Sequence, residues 1–265
     1  MGAALMRGVS IVAAAAFGPR GIEVGAPGQV RQVSVGNDLR VPGFEALKWG
    51  VPRKHIKTMT RAVQLGLAAA SAAMEAWPQH RELAPSRRGM YVGGSPQAGE
   101  AEDMLPALDA VRAAGGYSLG TFASAGIPLI PPLWLVKGLS NNILGYAAAQ
   151  WDLQGDNGNW CDGRLGGAVA LANAVQAVAE GRVDLALAGG ADVLAGAEAL
   201  LGRPGSEAAA FVVLVPGEGV RAGPPEEEGG EEEGGELGAA LYPLTLARRW
   251  LRGERAFSVG GVRVA

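Results

Sequence analysis

Sulfur, imidazole and aromatic rings are scarce in this chain. One cysteine in 265 residues permits no intrachain disulfide, and with only two histidines it cannot complete a four-ligand zinc site. No metal site and no cofactor is expected, and a reducing cytoplasm is the natural compartment for a chain with one cysteine. Uninterrupted apolar runs are too short for a membrane span. Charged residues make up 18% and the formal charge is −3. Seven of the negative charges lie between Glu226 and Glu236, and taking seven from −3 leaves +4, too mild a surplus to argue for nucleic acid.

Small aliphatic residues fill the gap. Hydrophobic residues reach 48% and glycines number 42, which describes an apolar globular α/β chain, one large domain or two small ones, that packs without many rings. The start, with its basic Arg7 and Ala-rich run, imitates a secretory signal. A buried first strand over Arg7 to Phe17 accounts for the same residues and is the favoured reading, with Gly18-Pro19-Arg20-Gly21 as a turn.

Gly28 to Val51 reads as irregular. Met59, Val63, Leu67, Ala70, Met74 and Trp77 recur at three- and four-residue steps, which predicts an amphipathic helix over Thr58 to Trp77, capped by Thr58 and ended by Pro78. Arg88 to Gly94 reads as a strand running into a Gly-Gly-Ser-Pro turn. That loop lacks the lysine and the spacing of a phosphate cradle. Glu100 to Ala114 predicts a surface helix, and Ile127 to Trp134 a proline-rich loop with apolar anchors.

The stretch from Leu153 to Val193 is the organising one. A loop, GDNGNWCDG, precedes a helix over Leu165 to Glu180 that is apolar on nearly every side and must lie inside a domain. Gly181 follows as a helix stop, and a core strand begins at Val183. Gly166, Gly167 and Ala168 leave room at the helix start for another backbone or for a bound chain. Ala208 to Val215 is a second continuous β-prone run. Gly223 to Gly238 has the composition of a flexible, solvated acidic tether, which could also recruit a basic partner. Ala239 to Arg252 predicts a helix that buries Leu241, Leu244, Leu246 and Leu251 and carries Arg248, Arg249 and Arg252 near its end.

Leu139 to Asp156, the small-residue helix start, the Glu180-Gly181 turn and the run ALAGGAD together resemble the β-ketoacyl-acyl carrier protein synthase family of condensing enzymes. The resemblance covers most of residues 7 to 218 and the last ten or so. It implies a thiolase-like layered α/β/α/β/α fold in reduced form, with the N-terminal half complete and most of the second half missing. The organisation expected is a condensing-enzyme N-terminal-type domain over 1–218, an acidic linker over 219–238, and a closing helix and strand over 239–265 packed back on the core.

In that family the elbow before the buried helix carries a cysteine that accepts the acyl chain, and histidines assist decarboxylation. Registering Gly181 and the Ala188-Gly189-Gly190 turn on the family puts Arg164 at the nucleophile position, with Cys161 three residues early. The ending AFSVGGVRVA puts Val262 at the histidine position of the closing motif, which resembles a strand. His55 and His80 precede the central helix and read as ordinary, partly exposed histidines. A thiolate at a helix N-terminus is activated by the dipole, whereas a guanidinium donates only and cannot attack a thioester. Arg164 is expected to pair with Asp156 or Asp162, to point away, or to receive an anionic group of a ligand.

The resemblance therefore implies a cysteine-less, chain-length-factor-like subunit with no catalytic residue. Such a subunit pairs with an active ketosynthase, or with itself, works with an acyl carrier protein, and shapes an acyl tunnel. Asn141, Gly145, Arg164, Gly166 and Gly167 are the ligand or tunnel positions it implies. Two alternatives stay open: an active synthase or acyltransferase using Cys161, and a carrier-protein-binding scaffold.

Overall fold

The computed structural model describes residues 6–26, 28–35, 38–95 and 101–265. In chain order the strands and helices are β1 (Val9–Gly18), β2 (Gly21–Gly25), β3 (Arg31–Val35), α1 (Arg61–Glu75), β4 (Arg88–Gly94) and α2 (Ala101–Ala113). Two single turns follow, α3 (Leu119–Thr121) and α4 (Trp134–Lys137), then α5 (Asn142–Trp151), β5 (Asn157–Trp160), α6 (Gly163–Ala179) and β6 (Leu185–Val193). The chain closes with α7 (Glu198–Leu201), β7 (Glu207–Pro216), β8 (Val220–Ala222), α8 (Leu241–Leu251), β9 (Phe257–Val259) and β10 (Val262–Val264). Among the described residues no helix is long and apolar enough to cross a membrane.

The ten strands of the described residues join one mixed sheet in the order β5-β4-β6-β7-β1-β8-β10-β9, with the β2–β3 hairpin added beside the C-terminal half of β1. β4 runs parallel to both β5 and β6, while β7 is antiparallel to β6 and β1. Both sheet faces are covered, which is why the central strands read as unbroken apolar runs. On one face Ala208, Ala210, Val212 and Leu214 meet α6 and α8; on the other Ala209, Phe211, Val213 and Val215 meet α1 and α5. This is three layers, helix on sheet on helix, with α6 and α8 side by side on one face, α6 over β4 and β6 and α8 over β7 and β1. A bulge between Ile11 and Ala13 of β1 inserts one residue, so Ile11 and Ala14 share a face where strict alternation would part them.

α6 ends as its sequence predicts. Gly181, at φ +74, donates to Val178 O at 3.0 Å and Arg182 donates to Ala177 O at 2.9 Å, the paired bonds of a Schellman stop. Other boundaries differ from expectation. The N-cap of α1 is Thr60, whose side chain accepts from the Val63 amide at 3.3 Å; Thr58 instead closes the preceding 3-10 turn on His55 O. Within the stretch read as irregular lies β3, paired to β2. The loop before Cys161 contains β5, an edge strand zipped to β4. The ending is a hairpin rather than one strand, since Gly260 and Gly261 both take positive φ and turn β9 back onto β10.

Two expectations of solvent exposure fail in opposite directions. In the stretch read as a loop with apolar anchors, Ile127, Leu129 and Leu133 are exposed, while Ile130 and Trp134 are half-buried. The acidic segment is exposed from 221 to 232, yet Glu233 and Glu236 are 3% and 4% exposed and Leu237 is fully buried. Carboxylates enter the interior only when paired, and both are. Glu233 meets Arg248, itself 3% exposed, whose Nη1 also lies 2.5 Å from Glu23 Oε1. A solvated tether is therefore not what this segment becomes at its C-terminal end. Residues 1–5, Pro96 of the Gly-Gly-Ser-Pro turn, and Glu100 lie outside the described residues.

Candidate functional site

The parallel strands β5, β4 and β6 point their C-terminal ends at one edge of the sheet, where open α/β sheets gather their sites. α6 links β5 to β6 and starts at this edge. Its first turn carries Arg164, Gly166 and Gly167, and Asp162 is its N-cap without a side-chain bond to the helix. Gly166 and Gly167 are buried against backbone. A Cβ on Gly93 of β4 would stand 2.5 Å from the Gly167 nitrogen, and one on Gly167 would collide with the Ala239 carbonyl. The closeness that small residues permit here is used by two neighbouring stretches of this chain.

Arg164 does not pair with Asp156 or Asp162. Its Nε donates to both oxygens of Glu236, at 2.8 and 3.0 Å, and Nη2 reaches Glu236 and Glu232. Arg203 binds the same Glu236 carboxylate. A cation at the positive end of a helix is unfavourable, and the two carboxylates offset it. Asp156 is taken by Arg182 and by the Tyr91 hydroxyl, which donates to it at 3.2 Å. Sequence reasoning missed Glu232, Glu236 and Arg203, because nothing in a Glu-Gly run signals which distant arginine will claim it.

Cys161 is exposed, lies between β5 and the N-cap, and accepts from Asn159 Nδ2 at 3.5 Å. Neither imidazole is beside it. His55 lies against Tyr146 with ring centroids 5.3 Å apart. His80 is buried rather than partly exposed, edge-on to Trp151 at 5.3 Å, with no hydrogen-bond partner for either ring nitrogen among the described residues. Burial, then the charges of Arg81 and Arg88, push its pKa down, so the ring stays neutral. Val262 is a buried hairpin residue paired with Val259. Asn141 and Gly145 lie apart from the α6 turn, exposed on α5, and a Cβ on Gly145 would meet nothing within 4 Å.

One further carboxylate completes the edge. Asp192, at the end of β6, is 2% exposed and accepts from Ser95 Oγ and from the Ala239 amide at 3.1 Å. Burial pushes its pKa up, and these bonds pull the other way. The run ALAGGAD contained it, but only the fold shows that it ties β4, β6 and the turn before α8 together.

Solved structures share this architecture. The chain is similar to the apo AntDE:AntF complex, a type II polyketide synthase acyl-carrier protein with its ketosynthase bound to the hexaketide (17% identity, TM-score 0.60, 79% of this chain and 62% of that one). It is also similar to the ishigamide ketosynthase/chain length factor (20%, 0.56, 81% and 67%) and to a β-ketoacyl synthase from Burkholderia phymatum STM815 (18%, 0.57, 84% and 66%). It thus has the thiolase-like ketosynthase fold and spans roughly two thirds of the length of those chains or somewhat less. A comparison with curated proteins finds no match. The family model for the β-ketoacyl synthase N-terminal domain matches residues 24–208, and with that span the chain belongs to the β-ketoacyl synthase family.

Proposed function

We propose that this chain is a catalytically inactive β-ketoacyl synthase-like subunit, of chain-length-factor type, that pairs with an active ketosynthase in fatty-acid or type II polyketide biosynthesis and shapes its acyl tunnel. One observation carries the reading: at the first turn of α6, where a thiolate would be activated, a guanidinium is locked by Glu232 and Glu236. Arginine has no lone pair to offer a thioester at neutral pH. The single thiol, on Cys161, lies outside the helix, and the two imidazoles pack elsewhere, against Tyr146 and Trp151.

A partner is supported by the surface around α3, α4 and α5. Tyr117, Leu119, Leu135 and Leu139 are 74%, 80%, 72% and 51% exposed and lie within one stretch of the chain. Large apolar side chains collected in this way on a monomer mark a surface meant to be covered. Asn141 and Gly145 belong to that stretch and are proposed to face the partner, with Arg164, Gly166 and Gly167 lining the closed end of this chain's own site. The complex named for the first structural relative motivates an acyl carrier protein as a second partner. A cytoplasmic setting and the division into 1–218, 219–238 and 239–265 belong to the same proposal, with the middle segment docked on the core at both its ends through β8 and Glu233 to Leu237.

Co-expression with the ketosynthase encoded nearest to it tests the reading. A heterodimer should copurify, and the mass of this chain should stay unchanged after incubation with acyl-thioester donors or a ketosynthase-directed covalent inhibitor. A labelled Cys161 would mean an active synthase, and a stable solitary monomer a scaffold.

A further inference from the structure

We infer that His80 is an acid-opened latch: while its ring is neutral it holds the 3-10 turn Pro78–Glu82 against the end of α5, and on taking up a proton it releases both. The inference adds regulation to the proposed partner face and rests on that reading for its consequence, while its test needs the isolated chain alone. The turn follows α1, and His80 is its one buried residue. At 3% exposure the ring stands edge-on to Trp151, the last residue of α5, with centroids 5.3 Å apart. The turn's side-chain hold on the core is therefore a single imidazole. The end of α5 is built around the same place. Trp151 Nε1 donates to Ser71 Oγ of α1 at 3.1 Å, and the Trp151 carbonyl accepts from Arg88 Nη1 at 3.4 Å. The chain beyond it is tied to the same stretch, since Gln154 donates to Pro85 O at 3.0 Å and Gly155 to Arg88 O at 2.8 Å.

This seat accepts an imidazole and rejects an imidazolium. Neither ring nitrogen has a hydrogen-bond partner among the described residues, so protonation would leave two unpaired donors and a buried charge. The charges acting on the ring are both positive, Arg81 from its own turn and Arg88 from β4, and α5 faces it with an uncharged indole. Arg88 is itself 8% exposed, and its donors go to the carbonyls of Leu83 and Trp151 rather than to a carboxylate. Glu75 at the end of α1, Glu82 in the turn and Asp152 after α5 are exposed, and none bonds to the ring. Burial first, then the two arginines, hold the seated ring's pKa below 6.5. A proton therefore binds the open form better. The latch contributes its full hold above about 6.5, the open value, and loses it as pH falls from there through the seated value. α5 carries Gly145 and follows Asn141, so acid should loosen the proposed partner face before it disturbs the central sheet.

The experiment is amide hydrogen exchange on the full chain at about pH 7.5 and about pH 5, corrected for the intrinsic pH dependence of exchange, with His80→Phe beside the wild type. Phenylalanine keeps a ring against Trp151 and cannot be protonated. In the wild type, exchange across 79–83 and 150–155 should rise roughly tenfold or more at the lower pH while β6 and β7 stay as they were. His80→Phe should show the same protection at both. Equal wild-type protection at the two pH values would overturn the latch, and so would the same acid loss in His80→Phe. Loss of β6 protection together with the turn would mean global unfolding and overturn it as well. If His80→Phe does not fold, the wild type decides. The chain has two histidines, and His55→Gln assigns their NMR signals. His80 should titrate below His55 and in step with the opening of the turn; titration near about 6.5 in a turn that stays closed would overturn the inference. A ketosynthase that binds at neither pH would count against the partner reading and leave the latch standing.

Discussion

Gly93 of β4 and Gly167 of α6 meet backbone to backbone: a Cβ on Gly93 would stand 2.5 Å from the Gly167 nitrogen and 2.6 Å from the Gly166 carbonyl carbon. Neither side can yield, since one is a strand in mid-sheet and the other the first turn of the central helix. Gly93→Ala should therefore destabilise the fold by about 3 kcal/mol or more, as overpacking against rigid backbone does. Gly145→Ala, in an exposed turn of α5 with nothing in reach, should instead stabilise the isolated chain by about 0.5–1 kcal/mol through helix propensity. Urea unfolding of both variants checks the contrast, and similar losses in the two would refute it.

The pair of Arg164 and Glu236 should behave as a unit. Glu236 is buried, whereas the Arg164 side chain is 29% exposed, so Glu236→Ala leaves the cation at a helix N-terminus with the half-exposed Glu232 alone and should cost about 1–3 kcal/mol. Removing Arg164 as well should return part of that loss. A double-mutant cycle reads the coupling directly, and additive losses would mean that the two do not interact in solution.

Asp184 gives the fold an acid limit. Hydrogen bonds from Arg87, against the cost of burial and with help from Arg7, hold its carboxyl at about 2, below the usual carboxylate value. A depressed folded pKa contributes stability that is present above the unfolded value, roughly 4, and is lost as pH falls through about 2. Urea midpoints should thus fall from pH 4 towards pH 2, and Asp184→Asn should flatten that limb.

Tyr91 sets the alkaline side with the opposite sign. Burial under Trp160, its ring stacked at 6.4 Å, pushes the phenol up to about 12. The folded state then disfavours the phenolate that the unfolded chain forms near pH 10, so stability is intact below about 10 and is lost as pH rises through about 12. Tyr91→Phe should remove this component, seen as a shallower alkaline decline in thermal midpoint, although the bond to Asp156 is lost at every pH.

What could be read from the residues follows from how local each signal is. β4, β7 and α6 are continuous apolar runs ended by glycine, so their type and extent follow from burial on both sides. Gly181 is legible as the helix stop and makes the Schellman bonds, and Arg164 lies in the first turn of the helix it ends. β3 and β5 escaped because they are short, glycine-bearing or charged strands whose pairing is supplied by a neighbour. Gly260-Gly261 between alternating valines did carry a hairpin signal, which the family likeness of a single strand overrode. The partners of Arg164 were beyond reach, since composition assigns a Glu-Gly run to solvent and only tertiary structure brings residue 236 to residue 164.

The exposed apolar stretch offers the sharpest functional prediction. Leu119 and Leu135 are 80% and 72% exposed, so a glutamate at either position replaces few contacts within this chain. Leu119→Glu/Leu135→Glu should leave the thermal midpoint of the isolated chain within about 0.5 kcal/mol of wild type, as surface substitutions do. In a complex with a ketosynthase, the same two charges would have to be buried without partners, at several kcal/mol for the pair. Copurification with the ketosynthase should then fall by roughly a hundredfold or more. Retained binding would place the partner on another face of the molecule, and a loss of thermal stability in the isolated chain would show that this stretch is covered from within.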